Sequence, residues 1–259
     1  MFRFTLFFTW LTWAIGRIIT KSRRGGSPGK FDPALVSRYR KETTIQDYSQ
    51  KSGPHYNADI ELKSLLSQGK WSSRIDEIAA LIPGERIFEM GSAEGLLASR
   101  LALSKAQVLG SEVSKNRYDS AERLRVSLTR KGTIGSNLIF TPRDARGASD
   151  LFAGVDTFVA CRVIYHFRSM RDLQDLFKKV GAEIGCVFIL GDALKAGAFE
   201  SFGVGFAFNP VKFFNYASSA GMEALLKSHG YETVAGETGF GDPYVIGRKD
   251  LGGSPTLIG

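Results

Sequence analysis

Glu89 is followed by glycines at positions 91 and 95, and these residues at this spacing are the first in the chain that suggest chemistry. Ile87 and Phe88 before the acid are strand formers, entered from the turn pair Pro83-Gly84. Gly91, Ser92 and Gly95 permit a tight turn, and Leu96, Leu97 and Ala98 open a helix. A strand, a glycine turn and a helix in that order place backbone N–H groups where a ligand approaches closely. A carboxylate at the strand's end accepts hydrogen bonds from hydroxyls or an amine. Glu112 ends the next apolar run, 23 positions after Glu89. An acid about twenty residues past a glycine turn bonds ribose hydroxyls in nucleotide-binding α/β folds, although an ordinary strand-end acid looks the same. Asp144 follows a third run, and Arg162 and His166 follow a fourth. Histidine, with an ordinary pKa of about 6.5, suits removal of a proton from a substrate hydroxyl. With no partner visible in the sequence, His166 equally well packs or hydrogen-bonds within its loop.

The pattern Glu-x-Gly-x-x-x-Gly, from Glu89 to Gly95, resembles the first motif of class I S-adenosylmethionine-dependent methyltransferases. It does not fit the dinucleotide fingerprint G-x-G-x-x-G, whose glycine spacing differs. It departs from the family at Ala93, where a glycine is usual; alanine is the smallest replacement. The resemblance covers about residues 58–248. It implies S-adenosyl-L-methionine as cofactor, bound by Glu89, Gly91, Ser92 and Gly95, with Glu112 on the ribose. It further implies that Asp144 meets the adenine amino group with the Ala145 backbone beside it, and that Arg162 borders the cofactor. Asp144 is also placed to cap a short helix. Implied too is in-line attack by a substrate nucleophile on the sulfonium methyl group, with no covalent enzyme intermediate. His166 would be the base.

The elements that must position these residues alternate. Helical spacing over 58–68 and 71–82 precedes the first strand; Ile75, Ile78, Ala79 and Ile82 share one face of the second helix. Strands are expected at 107–112, 137–142, 155–161 and 185–190, with helices at 116–131 and 170–183 between them. Val155–Cys161 is nearly continuous in apolar residues, as a parallel strand buried on both faces requires. A helix over 218–229 ends at Gly230, and 231–236 with 244–248 read as a β-hairpin. The expected class is α/β: a doubly wound, mostly parallel seven-stranded sheet with a C-terminal antiparallel hairpin, plus an N-terminal hydrophobic helix. Gly191-Asp192 closes the fifth strand, where the acid either shapes a substrate mouth or caps a turn.

Charge is unevenly distributed. Nine of the 34 Lys and Arg and one of the 26 Asp and Glu lie in residues 1–41, so the net charge of +8 resides there and the rest of the chain balances. A nucleic-acid footprint normally spreads over a folded face, and no Asn/Asp-Pro-Pro-Tyr-like motif follows the fourth strand, so nucleic acid is not an expected partner. A basic run beside an apolar segment suits an anionic membrane surface. Phe4 to Gly16 carry no charge and include three Phe and two Trp. That is shorter than the roughly 20 residues of a spanning helix. Residues 1–24 therefore read as a membrane anchor with a basic flank, interfacial or marginally spanning, with a cleaved signal peptide and a helix packed on the protein's own core as rivals. An anchor would hold the protein on the cytoplasmic face.

Residues 25–57 read as a linker and a lid, residues 58–249 as the methyltransferase-like domain, and 250–259 as a disordered tail. Phe and Gly crowd 195–217, apolar enough for a lipid-like or aromatic acceptor. Cys161 and Cys186 lie in apolar runs and form no disulfide framework. No metal-ligand spacing is present. The expected activity is methyl transfer to a small or amphiphilic acceptor: a quinone precursor, a lipid head group or a lipid-linked glycan. Two alternatives stand beside it: a non-catalytic, membrane-tethered binding module with this fold, and an NAD-dependent Rossmann oxidoreductase. The oligomeric state is not legible.

Overall fold

The computed structural model describes residues 71–147, 149–164, 167, 169–192 and 214–251. The expected anchor, linker and lid, the helix over 58–68, most of the Phe-rich stretch and nearly all of the expected tail lie outside the described residues. Among the described residues, no helix is long and apolar enough to cross a membrane.

Short, nearly continuous apolar runs form the central strands, buried on both faces. Strands β1 (Arg86–Met90), β2 (Gln107–Ser111), β3 (Leu138–Thr141), β4 (Thr157–Cys161) and β5 (Cys186–Leu190) run parallel, and β6 (Glu232–Glu237) and β7 (Pro243–Arg248) form the hairpin. The order across the sheet is β3-β2-β1-β4-β5-β7-β6, with β7 antiparallel to β5. Helices α1 (Ser73–Leu81), α2 (Leu96–Leu101), α3 (Lys115–Arg130), α4 (Met170–Glu183) and α5 (Ser219–Ser228) connect and cover the strands.

Because side chains alternate along a strand, each strand feeds both faces. Phe88, Phe158, Val187, Ile189 and Val245 pack toward Leu176, Phe177, Val180 of α4 and Leu225, Leu226 of α5. Ile87, Val108, Val159 and Phe188 pack toward Ile78 of α1, Leu97 of α2 and Leu124, Leu128 of α3. Phe88 and Phe158, neighbours on β1 and β4, stack at 5.7 Å, and Phe152 meets both edge-on. Each buried ring of this kind contributes about 1.5–3 kcal/mol of transfer free energy. The first four residues of β4 are buried, as a parallel strand covered on both faces requires. Helix caps set the entry angles: the Ser169 hydroxyl accepts from the Asp172 N–H at 3.3 Å and starts α4, and Gly230, at φ +84°, ends the chain's turn out of α5.

An all-parallel dinucleotide-binding sheet runs in the order 3-2-1-4-5-6. Here the position beside β5 is taken by an antiparallel strand that arrives last in the chain. That brings the turn before β7 to the carboxyl edge of the parallel strands, since Leu190 pairs with Tyr244.

Candidate functional site

The loops after β1 to β5 leave one edge of the sheet, where open α/β folds bind ligands. Glu89, Gly91, Ser92, Gly95, Glu112, Asp144, Ala145 and Arg162 all fall on it. His166 lies outside the described residues.

The glycine turn is held in a left-handed backbone. Gly91 sits at φ +69°, Ala93 at +49° and Gly95 at +79°. A Cβ at position 91 would stand 2.8 Å from Val163 Cγ2, and one at 95 would stand 2.5 Å from Phe140 Cζ and 2.9 Å from Ala121 Cβ. Glycine is required at both places on two counts, backbone angle and space. Ala93 adopts the same kind of angle with a side chain, at a cost of about 1–2 kcal/mol. Its N–H donates to Glu112 Oε2 at 3.0 Å, which offsets the strain.

The rest of the turn is tied down in the same direction. The N–H groups of Gly91 and Ser92 both donate to the Ser111 carbonyl, at 2.8 and 2.9 Å, and that of Gly95 donates to the Ser92 carbonyl at 2.8 Å. Glu112 Oε1 accepts from the Ser114 N–H at 2.8 Å. The expectation that this turn offers its N–H groups to a ligand is therefore not met at 91, 92, 93 and 95. Parallel pairing of β1 with β2 brings the Ser111 carbonyl under the turn, and the turn folds onto it. What remains on offer is carboxylate oxygen and close approach of the backbone.

Electrostatics agree with that reading. Glu89 is buried, and burial pushes its pKa from the usual 4.5 up to about 8; the Ala98 N–H hydrogen-bonded to it pulls the other way and the Glu112 charge adds a smaller rise. At neutral pH Glu89 is mostly a neutral acid. Its Oε2 has no hydrogen-bond partner, and neither has the buried Ser92 Oγ. Glu94 Oε1, in the same turn, also has no hydrogen bond, only the Arg117 guanidinium at 3.7 Å; buried polar atoms are normally paired, so these atoms mark a place that a donor can fill. A cation there would draw the proton off Glu89.

Asp144 caps the 3-10 turn Ala145–Gly147: its Oδ1 accepts from the Arg146 N–H at 2.9 Å, and its Oδ2 from Arg146 Nε at 2.8 Å. That guanidinium holds the Asp144 carboxyl below the usual carboxylate range. Ala145 is buried beneath it. Arg162, at φ +57°, turns its guanidinium to Asp242, donating through Nη2 to Oδ1 at 2.7 Å. Arg74 of α1 donates to the other oxygen of Asp242, which is wholly buried. Asp192 is buried at the end of β5, its N–H on the Ala217 carbonyl at 3.2 Å.

Sequence reasoning passed over three residues. Asp242 gathers Arg74 and Arg162 from positions 168 and 80 residues away, a pairing no local spacing announces. Phe140 fills the floor under Gly95. Val113, directly after Glu112, is 64% exposed, a large apolar side chain on the rim of a polar site.

Neither a protein-family model nor a curated protein matches the chain in sequence. Solved structures match in shape. Magnesium protoporphyrin IX methyltransferase from Synechocystis PCC 6803, crystallised with SAH, is 15% identical over 83% of this chain and 94% of its own, at a TM-score of 0.50. The methyltransferase domain of bacterial CtHen1-C is 17% identical over 71% of this chain and 98% of its own, at 0.51. The fold is that of the class I methyltransferases. An O-methyltransferase family protein from Burkholderia thailandensis shares this methyltransferase fold at 10% identity and a TM-score of 0.51, over 84% of this chain and 70% of its own. At these identities the likeness is one of fold, and activity has to be argued from the site.

Proposed function

We propose that the protein binds S-adenosyl-L-methionine and transfers its methyl group to a small or amphiphilic acceptor. The observation that carries the reading is the glycine turn with its own N–H groups satisfied and two buried carboxyls, Glu89 and Glu112, beside it. A pyrophosphate needs free N–H donors and positive field at such a turn. This turn supplies the opposite, which disfavours a dinucleotide. A ligand with hydroxyls, an amine and a positive charge fits: Glu112 keeps lone pairs for ribose hydroxyls, and Glu89 Oε2 and Ser92 Oγ take donors. Asp144 and the Ala145 backbone serve the base, with Val113 offering an apolar surface to a flat ring.

When bound, S-adenosyl-L-methionine supplies an electrophilic methyl group on a sulfonium centre. The chain's own part is positioning, by a turn whose angles are fixed before the ligand arrives. Once a bound cation has drawn off its proton, Glu89 adds negative charge to the carboxyl edge and favours a cationic ligand over a neutral one. His166, which follows the fourth strand by five residues in the sequence, is the proposed base toward an acceptor hydroxyl. The apolar segment at 1–24 and the Phe-rich stretch support a membrane-resident acceptor, such as a quinone precursor, a lipid head group or a lipid-linked glycan, with the domain on the cytoplasmic face.

Titration calorimetry with S-adenosylmethionine, S-adenosylhomocysteine and NAD tests the cofactor: binding of the first two and not of NAD is expected, and NAD binding alone would reverse the assignment. Transfer of labelled methyl to membrane extracts tests the acceptor. Equal labelling of soluble acceptors by a chain lacking residues 1–30, with none on lipids, would remove the membrane from the proposal.

A further inference from the structure

Asp144 is not idle in this structure, and what holds it bears on which ligands it can take. Arg146 folds back over it, using Nε and the backbone N–H, and also reaches Asp172 Oδ2 through Nη1 at 3.3 Å. Asp172 stands in the first turn of α4. A second tie fixes the base of the pivot: Lys179 Nζ donates to the Arg146 carbonyl at 2.9 Å. The Arg146 side chain is 50% exposed, and its Nη2 also donates to Asp144 Oδ2, so solvent lies beside the guanidinium while the Lys179 bond holds its backbone. One guanidinium thus spans two acids, one in the base-binding position and one behind it.

We propose that Arg146 is a specificity-determining residue of the nucleobase pocket, released from Asp144 to Asp172 when an amino group of the base takes the Asp144 carboxylate. The inference rests on the methyltransferase reading. A neutral amine that displaced a guanidinium with nowhere to go would leave an unpaired cation and lose a charge-assisted hydrogen bond. Asp172 removes that difficulty, because Arg146 already donates to its Oδ2 through Nη1 and keeps that carboxylate when it leaves Asp144. The same geometry predicts tolerance of a base with a carbonyl where adenine has its amine. Such a base offers Asp144 no donor, but it accepts from Arg146, which is already beside it. Arg146 therefore narrows the difference between amino and oxo bases.

The test is a set of Kd values by calorimetry for S-adenosylhomocysteine and its deaminated analogue S-inosylhomocysteine. The proteins are the full chain, Arg146→Met, Asp172→Asn and the double variant. Exposed ion pairs contribute about 0.2–1 kcal/mol, or roughly 1.4- to 5-fold in affinity. Arg146→Met should tighten S-adenosylhomocysteine within that range and weaken S-inosylhomocysteine. Asp172→Asn should weaken S-adenosylhomocysteine two- to threefold in the full chain and change nothing when Arg146 is already Met, a non-additivity that general damage to the fold would not produce. Roughly 0.5 M salt should shrink both effects. Weaker S-adenosylhomocysteine binding by a folded Arg146→Met, or additive effects of the two substitutions, would overturn the proposal while leaving the methyltransferase reading intact. Absence of binding by all four proteins would overturn both.

Discussion

Raising the pH should destabilise the unliganded protein through Glu89 by an amount that can be worked out. The folded chain holds this proton to about pH 8, whereas the unfolded chain releases it near 4.5. Between those values the folded state binds one proton more than the unfolded state, so stability falls as pH rises. The contribution is fully present below the unfolded value and lost as pH passes the folded one. Over the whole window the loss is about 5 kcal/mol as an upper limit, at 1.36 kcal/mol per unit. Between pH 7 and pH 9, where the loss is levelling off, it is on the order of 1 kcal/mol. A protein of this size loses about 2–4 °C of Tm per kcal/mol, so the expected drop is a few degrees. Glu89→Gln keeps the shape and removes the proton. The assay is thermal or urea unfolding of both proteins at pH 6, 7, 8 and 9, read as the difference between them so that other titrations cancel. The Gln variant should gain on the parent most between pH 6 and pH 8 and little more by pH 9. Parallel curves would mean that Glu89 titrates as an ordinary carboxyl, and the buried neutral acid would have to be abandoned.

Four further outcomes follow from particular contacts. Ala93→Gly should stabilise the protein by about 1 kcal/mol in urea unfolding, since glycine relieves the left-handed strain and the loss in unfolded-state entropy only partly cancels it. Gly95→Ala should destabilise by at least about 2 kcal/mol, because the angle is wrong for alanine and Phe140 and Ala121 stand in the way; a neutral result would refute the packing described under the turn. Glu112→Gln should weaken S-adenosylhomocysteine at least about tenfold by calorimetry, as charge-assisted bonds contribute about 1.5–3 kcal/mol each. Asp242→Asn should lower stability by about 1–3 kcal/mol, since it replaces the wholly buried carboxylate that accepts from both Arg74 and Arg162 by a neutral amide.

Much of the scaffold was legible in the sequence because periodicity and caps act locally. The helix over Met170–Glu183 and the strand after it fall where the alternation of helical and strand segments puts them. Ala121, Leu124 and Leu128 face inward, as their spacing on the third helix requires. The hairpin, too, was visible from its glycine-rich turn. What escaped notice depends on pairings across the sheet. Nothing near Asp242 in sequence points to Arg74 or Arg162; the fold alone brings the turn before β7 to the end of β4. Left-handed angles at Ala93 and Arg162 carry no glycine to announce them. The most instructive difference concerns the turn's N–H groups. Their direction depends on where the Ser111 carbonyl lies, and that is a matter of strand register. The residues of the turn were recognised, but the polarity of what they offer was not.

The central claim is that an adenosyl group lies along the carboxyl edge between the glycine turn and Asp144. A crystal structure with S-adenosylhomocysteine measures that directly. Ribose hydroxyls on Glu112, the amine close to Glu89 Oε2 or Ser92 Oγ, and the base between Val113 and Asp144 are expected. A ligand bound elsewhere, or this edge closed by the protein's own side chains with soaked ligand absent, would contradict the account.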